Sequence, residues 1–182
     1  MKAPNWKEWL KDKKACKEYL NYYVSKGMLR KSRLPAKDHL QKAQHNIDFA
    51  NWVNEKHKEE LPKLFGNERF YDWVISGYYY AIYHASLALI ASKEYTSKSH
   101  HATLCTIILF FHHEKQHLKE EDIDMIQNSM DKTDIEIIME TKELREKASY
   151  GVSGDFEIKL VNKSKENAIY FTNKVREILQ EQ

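Results

Sequence analysis

Glycine and proline are scarce in this chain, with five and three respectively among 182 residues. So few breakers leave little room for long irregular loops and favour long helices joined by short turns. Cysteine is scarcer still. Cys16 and Cys105 are too few for a disulfide framework or a four-cysteine metal site, so reduced thiols in a cytoplasmic protein are expected. No stretch reaches the roughly 18 uninterrupted apolar residues of a membrane span. The opening MKAPNWKEWLKDKK has no apolar signal-peptide segment. A Gly-rich phosphate loop and a G-x-S-x-G elbow are missing, which leaves P-loop and α/β-hydrolase chemistry without support. Neither an alternating strand pattern nor an internal repeat is found.

What is present is charge and aromatic bulk. A mean hydropathy of −0.73 beside 12% aromatic residues fits a charged surface over an aromatic-rich core. The length suits one domain with a sizeable core. The net charge is only +2, yet residues 1–42 hold twelve Lys and Arg against four acids. Trp6, Trp9, Tyr19, Tyr22 and Tyr23 lie among these cations. Cations for phosphates and flat rings for bases suit a single-stranded nucleic-acid surface. An amphipathic helix with solvated lysines and rings packed on a bundle explains the same spacing.

The punctuation gives six helical segments. The first runs from Asn5 to Lys26, with Gly27 placed to end it. A basic connector, MLRKSRLP, follows. A second helix starts at Pro35 with an apolar stripe of Leu40, Ala43, Ile47, Ala50 and Val53. It closes at Pro62 and Gly66-Asn67. The third, Glu68 to Ser92, carries Ile75, Tyr79, Ile82, Ser86 and Ile90 on one face and Ala81, Ala85 and Ala88 on another. Packing on both sides makes it the central helix, and Gly77 inside it permits close approach of a neighbour. Thr96-Ser97-Lys98-Ser99 caps a fourth, buried helix through Ala102–Phe111. The fifth starts near Lys119, has a capping box at Thr133-x-x-Glu136, and ends near Ala148. The last shows Phe156, Leu160, Ser164, Ala168, Phe171, Val175 and Ile178 at helical spacing. The fold class is all-α. Residues 1–34 form a basic amphipathic helix and connector, and residues 35–182 form the helical bundle.

His113-Glu114-Lys115-Gln116-His117 matches the H-E-x-x-H pattern of zinc hydrolases. Glu136 or Glu140 would be the third ligand on that reading. The motif sits where a buried helix runs into a charged connector, with no strand nearby to hold a peptide, so a surface histidine cluster is the expectation. No resident metal and no cofactor is expected.

Three further segments carry a likeness. Tyr79-Tyr80-Ala81-Ile82-Tyr83-His84-Ala85-Ser86, then Ser97-Lys98-Ser99-His100, then Leu144-Arg145-x-x-Ala148-Ser149-Tyr150 resemble the HEPN domain family, most closely its prokaryotic stand-alone branch. The resemblance covers residues 36–180. It implies an up-and-down bundle of four or five helices that dimerises with a second copy and binds RNA or nucleotides. It also implies the toxin-like half of a toxin–antitoxin or defence module, with a minimal nucleotidyltransferase as partner protein and no membrane. Nuclease members are metal-independent endoribonucleases with a late R-x(4–6)-H, in which imidazole moves the proton and guanidinium stabilises phosphorane-like charge. Here no histidine follows His117, and Tyr150, preceded by Ser149, stands where that histidine belongs. Arg33-x(5)-His39 fits the spacing but lies in the first connector, and it is set aside.

On the resemblance, Arg145 contacts phosphate, Ser149, Tyr150 and Tyr80 stack or hydrogen-bond, and His84, Lys98 and His100 complete the site. Structural roles stand beside each of these. Arg145 at a helix end pairs with acids or carbonyls, Tyr150 anchors the Gly151 turn, His84 is a satisfied core histidine, and Lys98 and His100 belong to an ordinary cap. Three functions follow: an RNA- or nucleotide-binding protein, a catalytically silent dimeric scaffold, and a metal-independent ribonuclease using His100 or His84.

Overall fold

The computed structural model describes residues 5–66, 68–130 and 154–181. Helices dominate these residues, with one two-stranded antiparallel ribbon. In chain order they are α1 (Trp6–Lys11), α2 (Lys13–Ser25), β1 (Leu29–Lys31), α3 (Ala36–Lys56), α4 (Glu60–Phe65), α5 (Tyr71–Ala91), β2 (Tyr95–Ser97), α6 (His100–Ile107), a π-helical continuation over Ile108–Glu114, α7 (Glu120–Met130) and α8 (Gly154–Gln180). The capping box at Thr133 and the end near Ala148 lie outside the described residues.

The single first helix expected from Asn5 to Lys26 is two helices. Asp12 adopts an extended backbone (φ −126°, ψ 99°), and its carboxylate accepts from Lys14 N and Ala15 N. A side chain that satisfies orphan amides starts a new helix at the cost of the old one. Gly27 ends α2 as its position predicts: φ is +67°, Gly27 N–H donates to Val24 O, and Met28 N–H donates to Tyr23 O. The second helix also stops early, at Lys56. His57 Nδ1–H donates to Val53 O, and its Nε2 accepts from Phe70 N. The imidazole thereby binds the start of α5 to the end of α3.

The ribbon was not expected. Leu29 pairs with Ser97 and Lys31 with Tyr95, and the Lys31 ammonium lies 3.9 Å from the Tyr95 ring centroid. Strands of three residues are too short for alternation to announce them.

α5 is the central helix. By length and composition it could cross a membrane, but 72% of its apolar window is buried in the bundle. It packs on α3, α6, α7 and α8. Against α3 it runs antiparallel in steady register: His84 meets His39, Gly77 meets Ala50, and Tyr71 meets His57. A Cβ on Gly77 would lie 2.9 Å from Ala50 Cβ, so the missing side chain sets the helix separation.

The two sides of this seam differ. On one side the Tyr78 hydroxyl donates to Asn51, and α8 is fastened across by Arg176 Nη2 donating to Gln44. α8 buries Val161, Ala168, Phe171, Val175 and Ile178. On the other side Phe49 and Trp52 (48% and 57% exposed) stack on one another, and Trp73 and Tyr80 (65% and 50%) flank Gly77 along α5. α7 is held to α8 by Asp122, which accepts from Lys119 N, Lys174 Nζ and the Tyr170 hydroxyl. Burial alone would raise the Asp122 pKa, but these donors hold it below the ordinary carboxylate value.

Candidate functional site

Histidines from three helices meet beside a row of tyrosines. Tyr79, Tyr80, Tyr83 and His84 fall on two successive turns of α5, spaced so that neighbours touch at three and four residues. The Tyr79 and Tyr83 rings stack with 4° between their planes. The Tyr79 hydroxyl and His100 Nε2 hydrogen-bond at 3.1 Å, and Tyr83 meets the same imidazole edge-on at 5.0 Å. Tyr80 leans edge-on against Tyr79 at 5.0 Å while its own ring stays half exposed. His84 touches Tyr83 at 5.7 Å and stacks on His39, from the first turn of α3, at 5.9 Å.

Burial controls the chemistry of these rings. It pushes the Tyr79 phenol up to about 12, with Tyr80 and Tyr83 adding to the shift, and raises Tyr83 as well. His84 is lowered to about 4, first by burial and then by the His39 ring and the Lys42 ammonium. His39 is lowered by burial against a smaller opposing effect of Asp38. Near neutral pH, Tyr79 and Tyr83 are therefore neutral phenols and His39 and His84 neutral imidazoles. His84 Nδ1 is buried with no hydrogen-bond partner among the described residues. Leaving a buried ring nitrogen without a hydrogen-bond partner costs free energy.

Of the residues singled out in the sequence, Tyr80, His84 and His100 fall in this one set of contacting rings. Lys98 lies exposed two residues before His100. Its turn is held by serines: Ser99 N–H donates to Ser97 Oγ, and Ser99 Oγ accepts from Ala102 N. The cap of α6 is thus supplied by Ser99, as the structural alternative for this turn has it. Arg145, Ser149 and Tyr150 lie outside the described residues, as do Glu136 and Glu140. His39, Tyr79, Tyr83 and Lys42 belong to the cluster and were not singled out. Tyr79 and Tyr83 were within reach, since they belong to the quoted α5 segment. His39 was passed over because its motif sat on the wrong element; only the α3–α5 pairing brings it to His84.

Two other sequence features turn out differently. His113 and His117 do not share a helix face, because the π-helical turn ends at Glu114 and Gln116 takes φ 54°. His113 Nε2–H instead donates to Trp9 O at 2.7 Å, and His112 Nδ1–H donates to Leu118 O. These imidazoles tie backbone segments together. In the basic segment, Trp9 and Tyr23 are buried and Trp6, Tyr19 and Tyr22 pack on the core, while Lys7, Lys11, Lys13, Lys14 and Lys17 are exposed. Rings turned inward do not stack bases, so the interleaved aromatics are core residues.

No protein-family profile matches this chain, and neither a curated protein nor a solved structure matches it significantly.

Proposed function

We propose that this chain is a HEPN-like helical protein that binds RNA or a nucleotide at the tyrosine–histidine cluster of α5 and α6. The proposal includes an up-and-down bundle, a cytoplasmic setting, a homodimer, and service as the toxin-like half of a module with a minimal nucleotidyltransferase. The observation that carries the binding is the cluster itself. A half-exposed Tyr80 ring, a His84 Nδ1 with no partner among the described residues, and an exposed Lys98 two residues before His100 offer stacking, hydrogen bonding and charge. Arg145, Ser149 and Tyr150 join it on the strength of the family resemblance.

The test is retention of labelled single-stranded RNA, and separately of ATP, by the full chain over a salt series with and without chelator. Binding that weakens with salt and leaves the RNA intact is expected. Tyr80→Ala is expected to weaken it by roughly 5- to 150-fold, the worth of one base–ring stack. Absence of any retention rejects the proposal in favour of a catalytically silent scaffold. That second reading draws on the exposed Phe49, Trp52 and Trp73, an apolar face suited to another protein or a second copy. A metal-independent ribonuclease is favoured by the stacked His39–His84 pair. It requires cleavage that survives chelator and disappears in His84→Ala, His39→Ala or Arg145→Ala.

A further inference from the structure

The two cysteines of the chain, 89 residues apart, meet in the core where α2 crosses α6. Cys16 Sγ and Cys105 Sγ are 3.8 Å apart, and both residues are fully buried. Each thiol also reaches the other's backbone: Cys16 Sγ lies 3.4 Å from Cys105 O, and Cys105 Sγ 3.3 Å from Cys16 O. The reciprocal contacts bring the two backbones, and not only the two sulfurs, close together. Closing a disulfide requires the sulfurs to approach to about 2.05 Å, a movement of under ~2 Å that side-chain rotation covers. Neighbouring thiols in a cytoplasmic protein are commonly inert packing residues. What distinguishes this pair is that two free, fully buried thiols lie within 3.8 Å of one another, so that a sulfur once oxidised has a resolving thiol already beside it.

We infer that Cys16 and Cys105 are a built-in dithiol, which a peroxide-class oxidant converts to an intramolecular disulfide locking α2 onto α6. In the first step one thiol sulfur attacks the peroxide O–O bond, giving a sulfenic acid and one water. In the second, the partner sulfur attacks the sulfenic sulfur. The S–S bond forms, the S–O bond breaks, and the hydroxyl leaves with the partner's proton as a second water. Two thiols lose two electrons and one peroxide is reduced. The hydrogen bond with Cys16 and burial both keep Cys105 protonated, well above the ordinary thiol range. The first step therefore runs in states where α1–α2 lifts from the bundle, and it is slow. The second is fast, because reclosing returns the partner to 3.8 Å. A sulfenic acid with a thiol beside it is trapped as disulfide before a second peroxide arrives.

The cross-link bears on the candidate site through α6, since Cys105 follows His100 by five residues on the same helix. The inference itself stands independently of any RNA binding.

The experiment treats the full native chain with hydrogen peroxide, quenches, denatures, alkylates with N-ethylmaleimide and records the intact mass. The expected product is monomeric, about 2 Da lighter than the reduced chain, carries no maleimide, and reverts with dithiothreitol. Digestion should yield one linked peptide pair containing Cys16 and Cys105. The oxidised chain should melt at a higher temperature than the reduced one. Cys16→Ser and Cys105→Ala, each checked by its melting curve, should give no lighter species and only alkylated or over-oxidised monomer. The inference is overturned by two alkylatable thiols after a treatment that oxidises both in guanidinium. Sulfinic or sulfonic products without a disulfide, or a lower melting temperature for the linked chain, overturn it equally.

Discussion

The α3–α5 seam has a covered side and an open side, built from the same two helices. On the covered side Tyr78 is wholly buried and hydrogen-bonded to Asn51, and α8 packs against both α3 and α5. On the open side Phe49, Trp52, Trp73 and Tyr80 stand in solvent, and the row ends at the His39–His84 pair. Residues of similar bulk and aromatic character therefore do different work nearly half a helical turn apart. One side supplies burial free energy. The other leaves apolar surface in water, an expense a fold tolerates where something else comes to cover it.

The largest expected effect lies on the covered side. Tyr78→Ala should cost about 3–5 kcal/mol, as for other truncations of buried aromatic residues, read from denaturant midpoints. Gly77→Val comes next at about 2–3 kcal/mol, because its first carbon already falls 2.9 Å from Ala50 Cβ, a rigid backbone-borne atom. Paired with Ala50→Gly, the loss should shrink, and a cycle showing no coupling would remove the seam contact as its cause. Tyr78→Phe keeps the packing and loses one hydrogen bond, for about 1 kcal/mol.

A contribution from the end of the open side depends on pH. In the unfolded chain His84 takes a proton near its ordinary 6.5, whereas in the fold it does so only near 4. The unfolded state binds more protons between those values, so stability is full above 6.5 and falls as pH drops toward 4. His84→Phe should flatten that part of a melting-temperature profile. The smallest stability effects belong to Trp73→Ala and Tyr80→Ala, within about 0.5 kcal/mol of wild type. A loss of several kcal/mol in either would show that the open side is closed in solution.

Much of the helical framework is legible in the sequence because periodicity and punctuation are local. Gly27 and Gly77 can be read for their roles, as can the apolar body of α6 and the last helix. What escapes is decided by side chains acting at a distance or against the local pattern. Asp12 divides a helix whose lysines run on in both directions. His57 ends α3 by bonding to Phe70, thirteen residues later. The site follows the same rule. Tyr80, His84 and His100 can be named from one segment and one turn, but His39 cannot, since nothing near it records that α3 returns alongside α5. The H-E-x-x-H motif errs in the opposite direction, for its spacing is right and its helix stops too soon.

The meeting of α2 with α6 also has a consequence for how the chain is made. At synthesis rates of about 5–20 residues per second, a stretch of 89 residues takes roughly 4–18 s to emerge. For those seconds Trp9, Leu20 and Tyr23 have only their neighbours in α1 and α2 to cover them, because α6 has not yet been translated. The lysine-studded outer face of α1 and α2 would keep such a nascent segment dispersed while it waits. The basic charge so prominent in the sequence thus has a use before the fold exists.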